Sequence, residues 1–268
     1  APLAALCTMA TDPADQELVA ELAAADPRVV PAFGFHPWAA HRIGSGPEHY
    51  AALFGAPPTP DAQRALELLP PPLPLADALA DLRTHLMRYP HALLGEVGLD
   101  RSFRLPAPPG AATRLVPLQT PLEHQMALLE AQVRIAVELG RSVSMHSVRA
   151  AGPTLAFLDR LYAHADAPPL VLHSCTMSPE SIVQVQRRHA RVYVSFSMTI
   201  NARQRALDAQ IAACDPARLL CESDTSADFA EHTAAAAERI ARVWGVSAAE
   251  AGARLADNFW RFCGNKRA

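Results

Sequence analysis

Seven short apolar runs recur along the chain, most of them followed by a longer stretch with helical periodicity. That alternation narrows the fold more than any other feature. The runs are Leu3–Met9, Val29–Phe35, Ala92–Val97, Ser142–His146, Leu170–His173, Val192–Ser197 and Leu219–Cys221. They are apolar nearly throughout instead of alternating, which predicts parallel strands covered on both faces. Helical patterns span Pro13–Ala25, Pro121–Leu139, Thr154–His164, Pro179–His189, Ala202–Cys214 and His232–Val243. A last helix starts at Ser247, where Ser247 and Glu250 form the S-x-x-E of a capping box. Strand and helix in alternation imply an α/β fold with a parallel sheet. Site-like polar residues cluster at the C-terminal ends of the runs, where (β/α)8 barrels carry their chemistry. The expected architecture is therefore a TIM barrel in a single domain over residues 1–268, with the first of its eight strands absent from the chain.

Two stretches break the rhythm. Residues 40–75 hold PPTP and LPPPLPL, too proline-rich for regular elements beyond a short helix at Asp61–Leu69. Residues 105–121 form a second long loop. Both follow strand ends, so both are expected over the barrel mouth, either as tolerated surface insertions or as a wall for a substrate or protein partner.

A formal charge of -3 offers no broad basic face for nucleic acid, although a bound metal ion can supply positive charge where a phosphate sits. Five cysteines, Cys7, Cys175, Cys214, Cys221 and Cys263, include no C-x-x-C pair and suggest no disulfide framework. No apolar run is long enough for a membrane span, and the first residues lack the basic start of a signal peptide. A cytoplasmic protein is expected, with the nucleus as the alternative.

Four strand ends carry a metal-capable side chain: Glu96 in GEVGLD, His146 in SMHS, His173 in VLHSC and Asp224 in ESD. A lone strand-end histidine is more often hydrogen-bonded structure than ligand. Four such positions in one barrel differ, because neighbouring strand tips converge on one pocket. Histidine with carboxylate suits zinc, manganese or magnesium, and a carboxylate can bridge two such ions. A two-metal site would activate water and clamp a phosphate.

GFHP (Gly34–Pro37), LLGEVGLD (Leu93–Asp100), MHSVRA (Met145–Ala150), LHSCTMSPE (Leu172–Glu180), SFSMTIN (Ser195–Asn201) and LLCESD (Leu219–Asp224) appear in an order that resembles the TatD-type metal-dependent hydrolases. The segment from Ile240 to Gly264 is similar to that family's last helices, and FHPW, SFRLP and MHSVRAAG look closest to its fungal branch. The resemblance implies a DNA-cleaving phosphodiesterase carrying two divalent ions. It makes Glu96 the bridging ligand and His146 and His173 ligands of one ion. Asp224 would be a ligand that also orients the attacking water. His36 would approach the phosphate or leaving group, or else only cap the turn before Pro37. Asp100 and Glu222 would hold ligands in place, or else stabilise a helix start. Arg104 would bind a phosphate or be a solvated loop arginine.

Three departures from the family pattern stand out. The family opens with a strand bearing His-x-His, and the match begins after it, a difference of roughly 25 to 30 residues by the size of a βα unit. The arginine expected two places after His146 is Val148, with Arg149 one place later. Thr225 follows the ESD segment where the family has proline. Two alternatives to a nuclease therefore remain: a binding or scaffold protein on an impaired hydrolase fold, and a hydrolase of small amides or lactones.

Overall fold

A computed structural model describes residues 5–162 and 167–264 of the chain. The described strands are β1 (Leu6–Met9), β2 (Val29–Phe33), β3 (Leu93–Asp100), β4 (Val143–Val148), β5 (Leu170–Leu172), β6 (Val192–Ser197) and β7 (Leu219–Glu222). They form one sheet in sequential order, and every neighbouring pair is parallel. This is the order of a TIM barrel. Among the described residues β1 and β7 are its two edges and do not pair with each other. The Leu3 and Ala4 start of the first expected strand lies outside the described residues.

The helices are α1 (Gln16–Ala25), α2 (His49–Phe54), α3 (Pro60–Glu67), α4 (Leu75–Arg88), α5 (Leu122–Leu139), α6 (Ala151–Leu161), α7 (Pro179–Arg188), α8 (Met198–Asn201), α9 (Leu207–Ala213), α10 (Phe229–Trp244) and α11 (Ala248–Phe262). Their starts follow local chemistry. Ser178 accepts from the Ser181 amide ahead of Pro179, and Thr59 accepts from the Ala62 amide ahead of Pro60. Ser247 likewise caps α11, but Glu250 pairs with Arg254 at 2.6 Å, so only one half of the expected capping box forms. No described helix is long and apolar enough to cross a membrane, and all five cysteines are free thiols.

Successive strand residues face opposite sides. One set, including Phe33, Leu94, Val143, Leu170 and Val194, packs into the large core with helix residues such as Leu82, Val133, Phe157 and Ile240. The other set, Val30, Ala32, Leu93, Val171, Tyr193 and Leu220, forms a second cluster with Phe262 from the end of α11.

The expectation of irregular chain at 40–75 needs correction. The short helix expected at Asp61–Leu69 forms as α3, with Pro60 in its first turn, where the missing N–H costs nothing, but a further helix, α2, forms ahead of it. The following helix α4 was hidden by the LPPPLPL run that leads into it. Ala62 and Ala65 of α3 pack against Leu105, Val116 and Leu118 of the second insertion. The two insertions thus share a small core of their own. The helix expected at Ala202–Cys214 is shorter than predicted, since α9 begins only at Leu207, and Ser197 caps a separate one-turn helix, α8, that ends before it.

A 3-10 turn over Ala40–Arg42 anchors the first insertion, where His49 and His124 meet the carbonyls of His41 and Ala40 at 2.8 and 2.9 Å. His41 is 5 % exposed, and burial, aided by the neighbouring Arg42 charge and opposed by Asp12, pushes its pKa down to about 4. The unfolded chain binds this proton below its ordinary value of 6.5, whereas the folded chain does not until about 4. Stability is therefore expected to fall as pH drops through that window, by on the order of 3 kcal/mol from this group. Urea unfolding from pH 7 to pH 4 measures the loss, and His41→Gln should flatten the profile.

Candidate metal centre at the strand ends

The site is built on β3, at a point where its pairing with β4 slips. Leu94 is opposite Val143, but Val97 is opposite Met145, so β3 carries one extra residue between them. Bulges of this kind re-aim a side chain, and here the two residues within the slip, opposite Ser144 alone, are Gly95 and Glu96. Glu96 Oε1 receives three imidazoles: His36 Nε2 at 3.1 Å, His146 Nδ1 at 2.9 Å and His173 Nε2 at 2.6 Å. The tips of β3, β4 and β5 and the turn after β2 thus meet on one carboxylate oxygen.

The second nitrogen of each ring decides what the first can do. His146 Nε2 faces Asp100 Oδ2 at 3.2 Å, and His173 Nδ1 faces Glu222 Oε1 at 3.5 Å. A carboxylate holding one N–H leaves the opposite nitrogen free to ligate, the usual arrangement around metal-binding histidines. His36 is different. Its Nδ1 accepts the Trp38 backbone N–H at 3.1 Å, so in the neutral ring Nε2 carries the hydrogen and acts as a donor. The turn-capping and site readings of His36 therefore both describe the same ring.

The electrostatics are those of a tightly knit buried cluster. Burial alone would raise the Glu96 pKa, but the His173 charge and the hydrogen bonds from the three rings hold it well below the usual carboxylate range. Burial also disfavours charge on His146 and His173, yet their carboxylate partners outweigh it and raise both. For His36 burial wins, and its pKa is lowered.

Asp100 is 1 % exposed and is fixed from all sides. Oδ1 accepts the Ser102 and Phe103 amides at 2.6 and 3.0 Å, and Oδ2 takes the Trp38 indole N–H at 2.6 Å as well as His146. Gln125 holds the Asp100 backbone at both N–H and C=O. On the other side of the site, Glu222 Oε1 accepts from the Ser174 amide at 2.6 Å and from the Ser195 hydroxyl at 2.9 Å.

Asp224 stands one hydroxyl away from this cluster. Its Oδ2 accepts from Ser174 Oγ at 2.8 Å, and the same hydroxyl reaches Glu222 at 3.0 Å. Burial raises its pKa against the lowering pull of His173. Arg104 is not drawn in. Its guanidinium donates to the carbonyl of Phe103 at 3.0 Å, within its own loop. Arg149 is exposed and leaves β4 with a left-handed φ of 52°.

The donor set fits a divalent cation. Ligand atoms of His36, Glu96 and His146 lie within 4.8 Å of one another, and His173 Nε2 is 3.2 Å from His146 Nδ1. Imidazole with carboxylate is the chemistry that zinc and manganese accept.

The profile of the family described as TatD related DNase matches residues 1–264. This chain belongs to that family. Among the relatives of the TatD chain is the Cut9-interacting protein scn1 of Schizosaccharomyces pombe, 32 % identical, with 82 % of this chain and 78 % of that protein covered. An uncharacterized deoxyribonuclease of Saccharomyces cerevisiae is 26 % identical, with coverages of 96 % and 90 %. The fold is shared with a TatD homologue of Escherichia coli at a TM-score of 0.68 and 20 % identity, covering 97 % of this chain and 86 % of that one. A TatD family hydrolase of Entamoeba histolytica gives a TM-score of 0.68 at 12 % identity, with coverages of 97 % and 84 %. Family membership makes the chain a hydrolase of a metal-dependent type.

Several residues that hold this site escaped the reading of the sequence. Gln125 and Gln132 lie seven apart on the buried face of α5, and Gln132 grips Phe35 at N–H and C=O, just ahead of His36. Two amides in an apolar stripe are a legible signal. Asn201, fully buried, ties the Ser197 amide to the Cys175 carbonyl at 2.8 and 2.9 Å. Trp38, Ser174 and Ser195 gave no signal, because their partners come from distant strands.

Proposed function

We propose that this chain is a metal-dependent phosphodiesterase that cleaves DNA. The observation that carries the reading is the meeting of three imidazoles on Glu96 Oε1, inside a TatD-family barrel. In this reading Glu96, His146, His173 and Asp224 hold two divalent ions, of magnesium, manganese or zinc type. Such ions would supply Lewis acidity and charge neutralisation at the phosphate.

The chain's own groups do the rest. Asp100 and Glu222 fix the rings of His146 and His173, so that the ligating nitrogens point inward. Asp224 takes the proton of the attacking water on Oδ1, since Ser174 occupies Oδ2. His36 carries its hydrogen on Nε2, 3.1 Å from Glu96 Oε1, and would share it with the phosphate or the leaving oxygen. Arg104 uses only Nη1 on the carbonyls of its own loop, so the rest of its guanidinium would serve a phosphate.

A labelled oligonucleotide incubated with magnesium, manganese or zinc is expected to be cleaved, and a chelator should stop the reaction. His146→Ala should lose at least about 100-fold, which excludes a contaminating nuclease. If the wild-type chain neither cleaves nor retains metal by elemental analysis, the reading fails. The protein-binding alternative then gains, supported by a relative named for its interaction with Cut9 and by the exposed Leu68 and Leu115 of the two insertions.

A further inference from the structure

Trp38 is out of keeping with its surroundings. Phe35, His36, Ala39 and Ala40 are all buried, yet Trp38 leaves half its surface, 50 %, open to solvent. An indole exposed to that extent forgoes a large burial gain. It is nonetheless held rigidly. Its N–H donates to Asp100 Oδ2 at 2.6 Å, and its ring stacks on Phe103, with centroids 5.4 Å apart and planes 15° from parallel. His36 meets it edge-on at 4.8 Å, and the His146 ring lies 6.3 Å away. A flat aromatic surface is thus fixed within one ring's width of the Glu96 cluster. Arg101, next in the chain to the Asp100 that the indole holds, and Arg149 leave the ends of adjacent strands exposed, with the Arg101 amide bonded to the Val148 carbonyl at 3.1 Å. An aromatic platform with exposed cations nearby is the chemistry that receives a nucleotide: base on the ring, phosphate toward the charge.

We propose that Trp38, braced by Phe103, is a substrate-positioning residue that stacks the nucleobase adjacent to the phosphodiester under attack. The proposal rests on the phosphodiesterase reading and adds to it the group that recognises the nucleotide. Stacking is indifferent to base identity, because every base presents a π-face. Recognition here is accordingly of a base as such, with little preference among the four. The indole N–H links this platform to Asp100 and so to His146, so a stacked base and an oriented ligand share one anchor.

Two readouts on the full chain test it. In the first, tryptophan fluorescence is titrated with oligothymidylate, with magnesium and again with chelator. Quenching is expected with oligothymidylate and not with an abasic oligomer of equal length. Trp38→Phe should remove it, leaving only the signals of Trp244 and Trp260. In the second, cleavage is compared at a phosphodiester flanked by a base and at one flanked by an abasic sugar. Trp38→Ala should lower the ratio of the first rate to the second by roughly 5- to 150-fold, while Trp38→Phe, which loses the same N–H on Asp100 but keeps a ring, should hold that ratio near the wild type's.

Equal damage in Trp38→Phe and Trp38→Ala would overturn the proposal, because the role would then be the N–H on Asp100. Intact cleavage with no base-dependent quenching would overturn it too, while leaving the phosphodiesterase reading in place. Base-dependent quenching without cleavage would sustain the platform and sink the enzyme reading instead. With neither signal, both fall.

Discussion

Replacing Glu96 with alanine is expected to weaken divalent-metal binding by more than about 100-fold and to leave no measurable hydrolysis. Removing a partner that only orients a ligand already costs about 10- to 100-fold in metal affinity. Glu96 is closer to the centre than that, since Oε1 is the one atom that His36, His146 and His173 all reach. Without it three buried rings face one another with no shared carboxylate. His146 and His173 keep Asp100 and Glu222, so the fold should survive the change. Equilibrium dialysis with elemental analysis measures the affinity, and circular dichroism checks the fold. A Glu96→Ala chain that binds metal as the wild type does would place the centre elsewhere.

The second large effect concerns a glycine outside the ligand set. Gly98 is two residues beyond Glu96 and has φ of 151°, a conformation that L side chains rarely adopt. A Cβ there would overlap the carbonyl oxygen of His146 and lie 2.8 Å from that residue's carbonyl carbon. β4 cannot retreat, because it is paired with β5 on its other side. Gly98→Ala is therefore expected to destabilise the chain by about 3 kcal/mol or more, from backbone strain and overpacking together. Urea unfolding measures this, and metal affinity should fall in parallel as the His146 backbone shifts. Gly252→Ala in α11 is the control. Nothing lies within 4 Å of its Cβ, and alanine favours a helix by about 1 kcal/mol over glycine. Equal destabilisation in both variants would refute the close-approach argument.

The parts of this protein legible in the sequence are those written in local pattern. Each of the seven strands overlaps an apolar run, because a parallel strand covered on both faces has no polar alternation to obscure it. The GEVGLD, SMHS, VLHSC and ESD ends could be picked out because a barrel of parallel strands places every C-terminal strand end at one face. Helix α4 was missed for an equally local reason: the LPPPLPL run ahead of it read as the end of order, whereas Pro74 stands just before its first residue. The insertions went the same way, since Leu105 and Val116 are ordinary loop residues until α3 packs against them.

What the sequence by itself determined is the inventory: an α/β chain of parallel strands, with histidines and carboxylates at the strand ends. Which of these act together was decided only by the tertiary structure. His36 and Glu96 are 60 positions apart, Trp38 and Asp100 are 62 apart, and Ser174 and Asp224 are 50 apart. No periodicity links such positions. A hydrogen bond depends on direction as well as distance, and direction at a strand tip is set by register. One extra residue in β3 aims Glu96 at three rings, and the backbone donors around His36 and Asp100 then fix which nitrogen of each ring is free. Composition names the groups, and the packing of distant strands gives each of them its partner.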